Sequence, residues 1–130
     1  MIDYKKMISL AKSCMQNSYS PYSHFKVGAC VLTKSGKYFV GTNIENASFG
    51  ATICAERSAI SSAISQGEKD FACIAIVSSS GEYTPPCGIC RQVLSEFGDL
   101  EIVLAKDENN FKVYTLKNLL PNNFDAGDIK

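Results

Sequence analysis

Two short cysteine-containing strings constrain this chain more than any other feature of its sequence. They read Cys54-Ala55-Glu56 and Pro86-Cys87-Gly88-Ile89-Cys90. Cys87 follows Cys54 by 33 positions, so the three thiolates can meet at one zinc ion only if the chain between them returns to its starting point. Three protein ligands leave one tetrahedral position open, which is typical of a catalytic rather than a structural zinc site. Glu56 is then free to move protons instead of binding metal.

The spacing within each string predicts that both strings lie at helix starts. Cys87 and Cys90 are three positions apart and are therefore neighbours on one helical face. Cys54 and Glu56 are two apart, so they diverge within a helix and converge only across its first turn. Pro86 favours a helix entrance, because proline suits the beginning of a helix and not its interior.

The negative charge of such a site also has to be balanced by nearby positive groups. Three thiolates on one zinc ion give a formal charge of minus one, which weakens the metal as a Lewis acid. The positive ends of the two helix dipoles oppose this charge. Arg57 and Arg91, each next to a site residue, can donate charge-assisted hydrogen bonds to thiolate. We hypothesise that Arg57 hydrogen-bonds a ligand thiolate and so adjusts the reactivity of the zinc site without binding the metal. The alternative is that Arg57 is a solvated arginine on the helix surface.

The other three cysteines have a simpler interpretation. Cys14, Cys30 and Cys73 lie within apolar runs, where free cysteines pack as small hydrophobic residues. A disulfide scaffold is not expected, because the chain is rich in apolar segments and shows no secretion signal. A closed structural zinc site is the remaining alternative for the first trio. It needs a fourth ligand, and neither His24 nor Cys73 is at a usual spacing.

The hydrophobic pattern predicts alternating helices and strands. Helices are expected at 2–16, 56–66 (with Gly67 at its carboxyl end) and 88–97. Strands are expected at 25–33, 38–42, 71–78, 102–105 and 111–115, with a hairpin turn at 34–37, loops at 43–53 and 81–86, and a looser tail. The strand at 71–78 is nearly all apolar, as in a central strand that is buried on both faces.

This order of elements predicts where a ligand binds. A helix links the strand at 38–42 to the strand at 71–78, so the two should run parallel with a right-handed crossover. Both cysteine strings then follow the carboxyl ends of parallel strands. That edge is where open α/β sheets bind ligands.

The composition limits the classes of partner that the chain is expected to bind. The 130 residues carry 13 basic and 13 acidic side chains, without a basic stripe, so neither nucleic acid nor a membrane is an expected partner. The length suits one domain, 1–130. There is no apolar run of membrane-spanning length, and the N-terminus has no signal-peptide h-region. A cytoplasmic protein is expected.

The motifs resemble those of one family, the small homotetrameric cytidine deaminases. The matching strings, in order along nearly the whole chain, are Tyr19-Ser20-Pro21-Tyr22-Ser23-His24-Phe25-Lys26-Val27-Gly28-Ala29, Asn43-Ile44-Glu45-Asn46-Ala47, Cys54-Ala55-Glu56-Arg57-Ser58-Ala59, Pro86-Cys87-Gly88-Ile89-Cys90-Arg91-Gln92-Val93 and Leu119-Leu120-Pro121. The pattern of a first ligand, one residue, Glu, and later Pro-Cys-x-x-Cys is that of zinc deaminases.

The resemblance implies an α/β fold, a three-layer α/β/α sandwich with a mixed central sheet of about five strands. It implies one zinc ion per subunit on Cys54, Cys87 and Cys90, whose bound hydroxide attacks C4 of cytosine. Glu56 would protonate N3 and then the leaving amine, converting cytidine and 2′-deoxycytidine to uridine and 2′-deoxyuridine in pyrimidine salvage.

The resemblance also implies a set of substrate-binding residues. Phe25, Asn43 and Glu45 would line the nucleoside site, the latter two on the ribose 3′-hydroxyl, and the Ala55 N–H would contact O2. A further set would reach a neighbouring subunit's nucleoside within a tetramer: Ala47, Phe49 and Phe124. Two positions depart from the family pattern, since Phe49 replaces a common tyrosine and Ile89 a common alanine.

Three other functions compete with this one. They are deamination of another cytosine compound, such as a nucleoside antibiotic; editing of nucleic acid, which needs a basic groove and stacking platforms; and a zinc-stabilised binding module without activity. Glu56 separates the last from the enzymes, because a structural site has no use for it.

Overall fold

The structure is a computed structural model and describes residues 1–129. Within these residues, four helices and five strands follow in the order α-β-β-α-β-α-β-β-α. The helices are α1 (Tyr4–Met15), α2 (Ala55–Ser65), α3 (Gly88–Ser95) and α4 (Leu116–Leu119), and the strands are β1 (Val27–Thr33), β2 (Tyr38–Thr42), β3 (Phe71–Ser78), β4 (Glu101–Asp107) and β5 (Asn110–Thr115). Short 3₁₀ turns lie at Phe49–Ala51 and Ala126–Ile129. Within residues 1–129, no helix has the length and hydrophobicity needed to cross a bilayer.

The five strands form one mixed sheet in the order β2-β1-β3-β4-β5. β1 pairs antiparallel with both β2 and β3, so β2 and β3 run in the same direction with β1 between them. The neighbouring parallel pair is β3 and β4. The parallel direction predicted for β2 and β3 is therefore confirmed, and α2 and α3 both begin beyond the carboxyl ends of strands that point the same way.

Helices cover both faces of the sheet, which gives the predicted three layers. α1 packs on one face through Met7, Ile8 and Ala11. α2 and α3 pack on the other through residues that include Ile60 and Leu94. Alternate side chains of β3 belong to the two faces, as they must in a pleated strand: Cys73, Ala75 and Val77 face α1, whereas Ile74 and Ile76 face α2 and α3.

Two glycines allow helices to approach the sheet closely, one on each face. A Cβ atom at Gly28 would lie 2.0 Å from the carbonyl oxygen of Ala11 in α1. A Cβ atom at Gly41 would lie 2.3 Å from the backbone nitrogen of Ala59 in α2. Both distances are far below van der Waals contact, so each glycine sets how near its helix lies to the sheet.

The predicted elements agree with the observed ones except at their ends. β1 begins at Val27 rather than Phe25, because side chains of Ser23 and Asn43 take the hydrogen bonds of the Phe25 backbone. The tail predicted to be loose begins with α4. In the sequence, the start of α4 is indicated by Thr115-x-x-Asn118, a capping box in which each side chain bonds the other residue's backbone N–H.

Candidate active site

Two helix starts bring the three thiols together, as the spacing predicted. Cys54 is the residue that precedes the first turn of α2, and Cys87 occupies the same position at α3. The sulfur atoms of Cys54, Cys87 and Cys90 all lie within 4.8 Å of one another. Over residues 1–129, this is the one cluster of three or more potential metal ligands. Cys73 is buried in β3 and His24 lies in an exposed loop, so neither closes the set as a fourth ligand.

The thiols differ in how readily they ionise. Hydrogen bonds from the Cys90 thiol and from Arg57 lower the pKa of Cys54 to about 5. The same bond to Cys54, together with burial, raises the pKa of Cys90. A zinc ion binds thiolates, so metal binding must release the remaining protons. Three soft sulfur donors suit zinc and do not suit magnesium or calcium.

Glu56 lies in the first turn of α2. The residue is buried, with 5 % of its surface exposed. Burial raises the pKa of this carboxyl to about 6. A carboxyl group that exchanges its proton near neutral pH is suited to general acid–base catalysis. The group is therefore placed beside the thiol cluster with the properties of a proton carrier.

A cavity of about 220 Å³ opens beside the thiols. Its walls come from the loop before β1, the segment between β2 and α2, and the loop before α3. The lining residues are Phe25, Val27, Asn43, Glu45, Thr52, Ile53, Cys54, Ala55, Glu56, Thr84, Pro85 and Cys87. Five of the predicted substrate-binding and catalytic residues thus share one cavity with two of the three thiols.

The two polar walls of this cavity are built differently. The Asn43 side chain is largely used by the protein itself: its oxygen accepts from Ser18 and from the Val27 N–H, and its nitrogen donates to the Phe25 carbonyl at 2.8 Å. One amide hydrogen of Asn43 remains. Glu45 is half-buried and accepts three hydrogen bonds from the 22–23 segment, whose Ser23 hydroxyl lowers the Glu45 pKa.

Comparison with known proteins identifies the family of the chain. A family model described as the cytidine and deoxycytidylate deaminase zinc-binding region matches residues 1–106. The chain belongs to this deaminase family. A probable cytidine deaminase from Dictyostelium discoideum is 46% identical over 129 residues, covering 98% of this chain and 87% of the relative. A cytidine deaminase from Halalkalibacterium halodurans is 41% identical over 130 residues, covering 98% of each.

Solved structures of deaminases confirm the predicted fold. The crystal structure of a cytidine deaminase from Burkholderia pseudomallei superposes with a TM-score of 0.89 at 42% identity, covering 95% of this chain and 100% of that one. A cytidine deaminase from Mycobacterium tuberculosis superposes with a TM-score of 0.85 at 35% identity, covering 95% and 98%. The family match and the thiol cluster together assign zinc as the cofactor, one ion per chain.

The two arginines of this deaminase chain differ in role. Arg57 directs one terminal nitrogen to the Cys54 sulfur at 3.9 Å and to the Thr52 carbonyl at 3.3 Å, and its Nε is buried without a hydrogen-bond partner. Arg91 does not donate to a thiol. It donates to the carbonyls of Pro86 and Leu119, so it ties the start of α3 to α4. The thiolate contact considered for Arg91 was therefore wrong.

Three predicted residues lie outside the cavity. Ala47, Phe49 and Phe124 are exposed. Phe49 lines a neighbouring cavity of about 390 Å³ that also contains Tyr22, Ser23 and Glu45, and its ring contacts that of Tyr22 edge-on. The carbonyl of Phe124 accepts from the Gln92 side chain. Their predicted role concerns a neighbouring subunit's nucleoside, which a single chain does not test.

Sequence reasoning gave no role to several residues of the cavity wall. Thr52, Ile53, Thr84 and Pro85 immediately precede the two cysteine strings, and that position was the only signal for them. The Thr84 hydroxyl lies 2.6 Å from that of Ser78 at the end of β3. This contact joins the loop that carries Cys87 to the central strand.

Proposed function

We propose that this chain hydrolytically deaminates cytidine and 2′-deoxycytidine to uridine and 2′-deoxyuridine, releasing ammonia. One observation carries the proposal. The carboxyl group of Glu56, which is buried, opens into the same cavity as Cys54 and Cys87. A structural zinc site has no need of an acid–base group at this position, whereas hydrolysis of a C–N bond needs one.

The reaction adds the oxygen of water to C4 of the cytosine ring and breaks the bond between C4 and the amino nitrogen. Cys54, Cys87 and Cys90 would hold the zinc ion, which would supply the Lewis acidity that makes water nucleophilic at neutral pH. Glu56 accepts the proton that the water loses and delivers it to N3. It then takes the second proton from the hydroxyl now on C4 and delivers it to the amino group, so that ammonia leaves as the C4 carbonyl forms.

The cavity walls support binding of a nucleoside. Phe25 offers an apolar side for the base. The Ala55 N–H belongs to the first turn of α2 and has no partner within the helix, so it can donate to the O2 carbonyl of the ring. The remaining amide hydrogen of Asn43 and the carboxylate of Glu45 form a donor–acceptor pair for the ribose 3′-hydroxyl. A substrate without that hydroxyl loses both bonds, leaves the remaining Asn43 amide hydrogen unpaired and is disfavoured.

We further propose that residues 1–130 act as one cytoplasmic deaminase domain of pyrimidine salvage and assemble as a homotetramer. Exposed apolar side chains support an assembly, since a monomer would leave them in water. They include Tyr19, Tyr22, Phe49, Ile89 and Phe124. Neighbouring subunits would then bring Ala47, Phe49 and Phe124 to each other's nucleoside.

The test compares zinc-loaded parent protein with the Glu56→Gln variant, following absorbance loss of cytidine and release of ammonia. We expect the variant to keep its zinc and its melting temperature while kcat falls by about 10²–10⁴-fold. Glu68→Gln is the matched control, since the Glu68 side chain bonds Ser35 and Lys37 near the hairpin turn, and it should retain parental activity. Parent protein that binds zinc yet leaves cytidine and deoxycytidine unchanged would reject the proposal.

A further inference from the structure

One serine hydroxyl links the residues that line the nucleoside cavity. The Ser23 hydroxyl donates to one carboxylate oxygen of Glu45. The other carboxylate oxygen accepts from the N–H groups of Tyr22 at 2.9 Å and Ser23 at 3.1 Å. Glu45 thus closes the turn that precedes β1, and both of its oxygens have fixed directions before any substrate binds.

The same hydroxyl also fixes the backbone of the residue that forms the apolar wall. The Phe25 N–H donates to the Ser23 oxygen at 3.0 Å, while the Phe25 carbonyl accepts from the Asn43 side chain at 2.8 Å. The Phe25 peptide is therefore held on one side by Asn43 and on the other by Ser23, which in turn bonds Glu45. Its neighbour His24 has a φ of 59°, so the turn adopts a conformation that this network must maintain.

We propose that Ser23 is a positioning residue for sugar recognition, acting through Glu45. Ser23 lines the neighbouring cavity and not the one beside the thiols, so its hydroxyl need not touch the substrate. By orienting the Glu45 carboxylate, it aligns the acceptor for the ribose 3′-hydroxyl with the wall provided by Phe25. This inference rests on the proposed nucleoside deaminase function.

The test measures KM and kcat for cytidine and 3′-deoxycytidine with parent and Ser23→Ala proteins. For cytidine, we expect KM to rise about tenfold in the variant, with kcat changed less than about twofold, because orientation of a remote substrate group is lost. For 3′-deoxycytidine, which lacks the hydroxyl that Glu45 accepts, we expect KM to differ between the two proteins by less than about twofold.

Two further variants separate positioning from general loss of structure. Ser23→Thr retains the hydroxyl and should restore the parental KM for cytidine. Ser35→Ala removes a like bond, from the Ser35 hydroxyl to Glu68 at 2.6 Å, in the distant hairpin turn, and should change neither constant. If Ser23→Ala folds poorly, Ser23→Cys replaces the hydroxyl with a weak donor and gives the same comparison.

The outcomes distinguish this inference from the function on which it rests. A parent protein without cytidine turnover rejects the deaminase proposal itself. An active parent with an unchanged KM in Ser23→Ala overturns the inference alone. An equal rise in KM for both nucleosides also overturns it, since Ser23 would then support the loop without acting through the sugar hydroxyl.

Discussion

The chain carries two trios of cysteines, and the sheet separates their chemistry. Cys30 and Cys73 are buried within neighbouring strands on the face that α1 covers, and Cys14 is half-buried in α1. The other three stand at the starts of α2 and α3 on the opposite face. Burial raises the pKa of Cys30 and Cys73 to about 12, whereas hydrogen bonds lower that of Cys54 to about 5.

The difference shows that the neighbours which the fold gives a thiol decide its chemistry. A cysteine in the middle of a strand is buried in the core, where desolvation disfavours the thiolate, so it stays protonated and contributes packing. A cysteine at a helix start meets unpaired N–H groups and the positive end of the helix dipole. The same residue type is therefore inert on one face and able to bind metal on the other.

Removing one thiol from each trio should have opposite consequences. We expect Cys87→Ala to lose zinc and all measurable deaminase activity, because the two thiolates that remain are too few to hold the metal. Cys73→Ala should retain one zinc per chain and parental kcat, with the free energy of unfolding lowered by about 1–2 kcal/mol. Metal analysis by mass spectrometry, activity assays and urea unfolding measure the two effects. Zinc loss in Cys73→Ala would break the comparison.

Gly28 and Gly41 extend the comparison of the two sheet faces to the helices that pack on them. An alanine at Gly28 or at Gly41 forces α1 or α2 away from the sheet, and each should lower the free energy of unfolding by about 2–3 kcal/mol. Only Gly41→Ala moves the helix that carries Cys54 and Glu56. In folded protein at low temperature, we expect Gly28→Ala to keep parental kcat and Gly41→Ala to lose at least about tenfold.

The two arginines near the thiols provide a smaller and more selective test. Arg57→Ala removes the donor to Cys54 and should weaken zinc affinity by about 10–100-fold, lower kcat and shift the pH–rate profile while the fold is kept. Arg91→Ala, which loses only carbonyl contacts, should leave zinc affinity unchanged. Competition with a chromophoric chelator measures the affinities, and an unshifted pH–rate profile in Arg57→Ala would contradict the role given to Arg57.

The smallest predicted effect is on the α1 side, far from the zinc site. A hydrogen bond to Glu101, followed by burial, raises the pKa of Tyr4 from 10.0 to about 12. Because folding raises the pKa of Tyr4, its hydrogen bond to Glu101 stabilises the folded state fully below pH 10. This stabilisation is lost as the pH rises towards 12. Tyr4→Phe should therefore cost less than about 1 kcal/mol at pH 9, since a part-exposed pair is screened. Urea unfolding at pH 9 and 11 should show that difference shrinking, with kcat unchanged.

Much of the site followed from local rules that act along the chain. The i, i+3 spacing of Cys87 and Cys90 and the i, i+2 spacing of Cys54 and Glu56 placed both strings at helix starts, where the structure has them. The apolar run at 71–78 predicted the central strand with its bounds unchanged. These features depend on residues within one turn or one strand of each other.

What the sequence determined by itself was therefore the set of elements, the thiol chemistry and the family. Only the tertiary structure decided which side chains meet across the cavity: that Arg57 contacts a thiol and Arg91 does not, that Asn43 is mostly occupied by Ser18, Val27 and Phe25, and that Ser23 bonds Glu45. Those contacts join residues up to 25 positions apart, as between Ser18 and Asn43. Their geometry depends on how the turn before β1 and the helix starts pack together, and no local periodicity encodes that packing.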